Sequence, residues 1–143
     1  LVGHPGDEIQ FINGDLHINK KKVEKKFLRK DTVFCGSEKI DVNIYNEKIT
    51  SDAKYEIAYF AKDSMMDTDP YVIPKDHFFF LGDNRDCSKD SRFLMSVGYV
   101  NKENLVGKAR FLFFSNNSDV GSMFTFWKWH KSIRFDRFMK KII

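Results

Sequence analysis

Asn13-Gly14, set between the alternating apolar pairs Ile9/Phe11 and Leu16/Ile18, constrains the fold of this chain more than any other feature. Both residues tolerate the positive φ that a two-residue type I′ turn demands, so the dipeptide predicts a tight β-hairpin. A turn at 13–14 also sets the register. Phe11 then faces Leu16, and Ile9 faces Ile18, on one side of the ribbon. Just upstream, Gly3-His4-Pro5-Gly6-Asp7 puts Pro and Gly where a type II turn needs a fixed φ followed by a positive one. Before residue 120 no segment carries a long helical period. The body reads as mainly β.

The 143 residues suit one domain with a proper core, and 42% hydrophobic content with 15 Phe excludes a disordered chain. Tyr71-Val72-Ile73-Pro74 re-enters the core, residues 78–81 read as a buried strand, and residues 111–114 as a closing core strand. From Phe27 to about Tyr71 the chain turns polar, with short strand-like pieces at 41–45 and 55–60 and loops at 51–52 and 63–70. The resulting division is a core β domain from residues 1–26 and 71–118, an inserted β region at 27–70, and a basic aromatic segment at 119–143. Lys20-Lys21-Lys22 and Lys25-Lys26 read as a solvated turn and strand edge in preference to a nucleic-acid patch.

Residues 78–92, FFFLGDNRDCSKDSR, carry the strongest functional signal. Four bulky apolar residues end at Gly82, and the next stretch is dense in acids, bases and serines. A buried strand that feeds such a loop delivers polar groups to one place. A salt-bridged structural turn is the alternative. A calcium loop starting at Asp86 fails, because Ser91 stands where the turn Gly belongs and Val97 where the closing acid belongs. Paired-carboxylate hydrolysis from Asp86 and Asp90 is opposed by Arg85 and Arg92, which would keep both acids ionised. No His accompanies the loop, and the four His are scattered singly without metal-ligand spacing. Cys35 and Cys87 form no pair motif, and their spacing leaves open whether they bridge.

Charge is unevenly placed. Residues 126–143 hold six Lys/Arg against one acid, a local +5 within a net charge of +4, so the body is near neutral. Phe135, Phe138, Met139, Ile142 and Ile143 follow helical spacing with basic residues between them, after Phe124, Phe126, Trp127 and Trp129. The pattern predicts a short amphipathic helix. It suits a membrane–water interface or a helix packed on the domain. No apolar run reaches spanning length.

Gly82-Asp83-Asn84-Arg85-Asp86, followed by Ser88, Asp90, Ser91 and Arg92, resembles the GDNRDNSxDSR signature of bacterial type I signal peptidases. Val2-Gly3-(His4)-Pro5-Gly6-Asp7 looks like that family's VGLPGD box, and residues 14–23 like its GxLYINGxxV hairpin. Ile73-Pro74 with Phe79-Phe80 is similar to the approach to GDNRD, and residues 98–109 to GYVPxENLVGKA. The tail resembles the ends of some bacterial members. Departures are Cys87 where Asn is usual, His4 where Leu is common, and Asn101 where Pro is common.

The resemblance implies a signal-peptidase-like antiparallel β fold and a membrane-anchored serine endopeptidase acting on preproteins after small residues, without metal or cofactor. The family uses a Ser/Lys dyad, with the Lys just before the VGLPGD box and the Ser further upstream. Both are therefore expected ahead of Leu1, and the 143 residues alone are expected to be inactive. By resemblance, Ser88 orients the dyad lysine, Gly82 gives backbone room beside it, Asp90 and Arg92 form a supporting salt bridge, and Asp83 and Arg85 brace the loop. Expected partners are signal peptides and, through residues 124–143, an anionic membrane surface, with no nucleic acid. The expected location is the outer face of the bacterial inner membrane. Rival readings are a non-catalytic gene fragment or lipid-surface-binding β module, and another Ser/Lys peptidase.

Overall fold

The computed structural model describes residues 1–50, 54–61, 67–113 and 139–141. They fall into two units, Leu1–Leu105 and Val106–Ile143. The strands of the first unit are β1 (Glu8–Ile12), β2 (Asp15–Ile18), β3 (Lys21–Lys22), β4 (Glu24–Cys35), β5 (Glu38–Lys48), β6 (Lys54–Phe60), β7 (Tyr71–Val72), β8 (His77–Phe78) and β9 (Val100–Asn101). Antiparallel pairing dominates, and the fold is mainly β as the sequence predicts.

The first sheet has the order β3-β2-β1-β7. Its hairpin turns at Asn13 (φ 51°) and Gly14 (φ 73°), and Ile9 pairs with Ile18 and Phe11 with Leu16. That is the register the apolar alternation requires. Ile9, Phe11 and Leu16 are buried with Val2, Val23, Ile73 and Phe79, and each such side chain contributes about 1.5–3 kcal/mol of hydrophobic stabilisation. The Pro5-Gly6 turn also forms: the Asp7 amide donates to the His4 carbonyl at 3.0 Å, and Gly6 has φ 88°. The Gly6 amide donates to the Ile73 carbonyl at 2.9 Å, which ties this turn to the end of β7.

The second sheet has the order β4-β5-β6 and reverses at Gly36 (φ 65°). The pieces expected at 41–45 and 55–60 lie inside longer strands, because pairing with β4 carries the ladder through the charged positions as well. One face buries Val42, Ile44 and Ala58 against Val33 and Phe60. Tyr45, Glu47, Tyr55, Ile57 and Tyr59 share the opposite face, as the cross-strand register dictates. Lys25 joins the two sheets by an ion pair to Asp15 at 2.9 Å, and Lys22 pairs with the same acid.

Two expectations need correction. Residues 78–81 do not form one buried strand. β8 pairs with β9 over two residues, Phe79 bridges Gly3, and of the four only Phe79 is fully buried. Beyond Phe79 the backbone donors are taken by loop side chains, Phe80 by Ser91 and Gly82 by Asp90. Residues 111–113 do not form a buried strand either. Phe111 and Phe113 are exposed, and β10 (Phe111–Leu112) pairs with β11 (Lys140–Lys141) within the second unit. Of the expected C-terminal helix, Met139 has φ 54° and Lys140–Lys141 are strand; the remainder lies outside the described residues.

Candidate active site

An edge strand presents unpaired main-chain groups, and the polar loop satisfies those of β6. The Ala58 amide donates to the Asp83 carbonyl and the Arg85 amide to the Ala58 carbonyl, both at 2.8 Å, making a parallel bridge between Ala58 and Asn84. Two residues on, the Phe60 amide donates to Asp86 Oδ2 at 2.7 Å. The first half of the loop is thus continued from the sheet.

Two buried ion pairs hold it there. The Arg85 side chain is 1% exposed, as is Glu47, and its guanidinium makes a forked contact with the Glu47 carboxylate. Arg85 Nε also donates to the Gly82 carbonyl at 3.1 Å, and Nη1 to the Tyr59 hydroxyl at 3.3 Å. The Tyr55 hydroxyl donates to Glu47 Oε1 at 2.9 Å. Burial works against the Arg85 charge, but Glu47 and then Tyr59 more than offset it, so its pKa is raised. Burial, reinforced by Glu47, pushes the Tyr59 phenol up to about 12 against the opposing pull of Arg85, and Tyr55 is raised for the same reasons.

The second pair is Asp90 with Arg92. Arg92 Nε donates to Oδ1 and Nη2 to Oδ2, each at 2.8 Å, a bidentate fork. The carboxylate also accepts from the Gly82 amide at 2.9 Å, while Arg92 Nη2 donates to the Arg85 carbonyl. Asp90 and Arg92 therefore lock the start of the loop to its end. Ser91, fully buried, accepts from the Phe80 amide at 2.9 Å.

Ser88 stands where these supports converge. A Cβ placed on Gly82 would lie 1.7 Å from Ser88 Oγ, so the hydroxyl rests directly on the Gly82 backbone. A glycine is required there by close approach, not by a positive φ. Gly82 also lines a cavity of about 250 Å³, with Leu1, Val2, Tyr55 and Leu81 beside the charged Glu56, Asp83 and Arg85. Gly82 thus carries the Ser88 hydroxyl against its backbone and borders a small recess of mixed apolar and charged lining.

Gly82, Arg85, Ser88, Asp90 and Arg92 come together as one scaffold. Asp83 participates mainly through its carbonyl; its exposed carboxylate accepts from the adjacent Asn84 amide. Arg85 turns to Glu47, not to Asp83 or Asp86. Glu47, Tyr55 and Tyr59 were not legible as site residues, because only the β5–β6 register places them opposite Arg85. Cys35 and Cys87 are bonded, with Cα atoms 5.8 Å apart. Asn101, the departure from the usual Pro, caps a 3-10 turn over Lys102–Asn104 by accepting from the Glu103 amide at 2.9 Å.

The family model described as signal peptidase, peptidase S26, matches residues 1–114. The chain is similar to signal peptidase I of Rickettsia typhi and of Rickettsia prowazekii, 32% identical to each over 157 aligned positions. These alignments cover 99% of this chain and 58% of each relative. Signal peptidase I of Rickettsia bellii is 31% identical, with 99% of this chain and 53% of the relative covered. The chain thus spans a little over half the length of these curated relatives.

Proposed function

The chain belongs to the signal peptidase family, peptidase S26, and from that premise we propose that it forms the C-terminal part of a membrane-anchored serine endopeptidase removing signal peptides from exported preproteins. The Ser nucleophile and Lys base belong, in this reading, to residues that precede the Val2-Gly3-His4-Pro5-Gly6-Asp7 box. The 143 residues alone do not cleave. Ser88 hydrogen-bonds the lysine amine and keeps it aimed at the nucleophile. Desolvation of an amine held beside Gly82 lowers its pKa, and the neutral form is the one that works as a base. Asp90, Arg92 and the Arg85–Glu47 pair hold Ser88 in place through the loop backbone. The substrate lies extended against the site, with small residues before the scissile bond. The Cys35–Cys87 bond supports a location outside the cytosol, where disulfides persist.

The observation that carries the reading is Ser88 Oγ resting on the Gly82 backbone, in a loop held by two buried ion pairs. The test is Ser88→Ala in the whole membrane-anchored protein, assayed on a preprotein with an Ala-x-Ala site. Losing one hydrogen bond to the base costs roughly 1–3 kcal/mol of barrier, about ten- to a hundred-fold in kcat, with KM little changed. An unchanged kcat overturns the assignment of Ser88. Specific cleavage by the 143-residue chain alone would place the nucleophile within it and overturn the upstream dyad.

A further inference from the structure

The one covalent cross-link of the described residues reaches the site. Cys35 ends β4 at the reversal into β5, and Cys87 immediately precedes Ser88, so the bond spans a sequence separation of 52. The loop around it is held in two halves. Residues 83–86 are pinned to β6 by main-chain bonds and by Asp86, and residues 90–92 by the Asp90–Arg92 fork. Between these halves, the Ser88 amide donates to the Asn84 carbonyl at 2.9 Å, and the disulfide anchors the preceding residue to the far tip of the second sheet. Both cysteines are half-buried, within reach of a small thiol.

We propose that the Cys35–Cys87 disulfide is the positioning element for Ser88, and that its reduction turns the site down. The inference rests on the role proposed for Ser88. The switching step is thiol–disulfide exchange. A dithiol reductant gives two electrons and two protons to the pair, the S–S bond breaks to two thiols, and the reductant becomes a cyclic disulfide. Freed from β4, residues 87–89 keep their peptide links and the Asn84 contact but lose the tie that presses the hydroxyl onto Gly82.

The experiment uses the whole membrane-anchored protein, oxidised or treated with dithiothreitol, with thiol titration to confirm that two further thiols appear on reduction. Reduction is expected to lower kcat about tenfold at unchanged KM, and to move the acid limb of the kcat profile to higher pH, because the amine loses the Ser88 hydrogen bond that favours its neutral form. Reoxidation restores both. A Cys35→Ser/Cys87→Ser variant should behave as the reduced protein whatever the redox state. Amide exchange at Ser88 should quicken about tenfold on reduction, a readout that needs no turnover. Unchanged kcat and unchanged Ser88 exchange overturn the proposal. So does a loss that appears only as a lower melting temperature, which marks a structural staple. If Ser88→Ala leaves kcat intact while reduction still speeds Ser88 exchange, the clamp stands and the role assigned to Ser88 falls.

Discussion

Asp90 and Arg92 show how far single residues can be read in advance. Their spacing and opposite charge were visible in the sequence, but the consequence depends on burial, at 5% and 6% exposure. Removing either partner leaves a buried charge unpaired, so Asp90→Asn and Arg92→Met should each cost on the order of 3–5 kcal/mol. The double variant should cost less than the two singles combined, and thermal melts of all three check this. Singles that melt like the parent would mean the pair is solvated. Glu47 lay beyond such reading, since no local pattern separates it from the exposed acids of β5. Its cluster has its own signature in alkali. The folded pKa of Tyr59, at about 12, exceeds the ordinary phenol value near 10, so the folded state binds the proton more tightly than the unfolded state. The stability this contributes is fully present below pH 10 and is lost as pH climbs from there through about 12. Tyr59→Phe should flatten that loss, as read from melting temperature against pH alongside tyrosinate absorbance.

Elements were legible where their cause is local. The β1–β2 hairpin follows from two turn residues and four apolar ones, all within ten positions, and the structure reproduces its register pair for pair. Gly14 at φ 73° is the weak point. An L side chain costs roughly 1–2 kcal/mol in that region, so Gly14→Ala should lower unfolding free energy by that amount in a urea titration. No change would mean the turn adopts another geometry. Residues 78–92 were legible as composition but not as shape. Apolar density suggested a strand through Leu81, whereas the donors of Phe80 and Gly82 are claimed by Ser91 and Asp90 from the far side of the same loop. Hydrogen bonds between residues eight to eleven apart leave no periodicity to detect. The disulfide was equally hidden, because only the long β4–β5 ribbon brings Cys35 to Cys87.

At the scale of the whole molecule, charge is the property that sequence alone locates well. The near-neutral body and the +5 carried by residues 126–143 need no structure to be seen. What that segment folds into was less legible: an amphipathic spacing gave a helix, while the described positions 140–141 pair with Phe111–Leu112. A strand pairing of this kind is non-local, and a short helical period cannot compete with it as evidence. The composition argument does not depend on which element the segment forms. Trp127, Trp129 and several Phe interleave with Lys and Arg, a mixture suited to the interface between headgroups and acyl chains. Each basic residue near an anionic surface contributes roughly 1 kcal/mol, screened over a Debye length of about 8–10 Å. Weak, salt-sensitive binding to anionic vesicles is therefore expected, and binding to neutral ones should be much weaker. Vesicle sedimentation of the 143-residue chain, with and without residues 124–143, measures it, with circular dichroism to confirm that both forms keep their β signal. Equal binding by the two folded forms, or no preference for anionic lipid, would assign the basic aromatic segment to packing within its own unit.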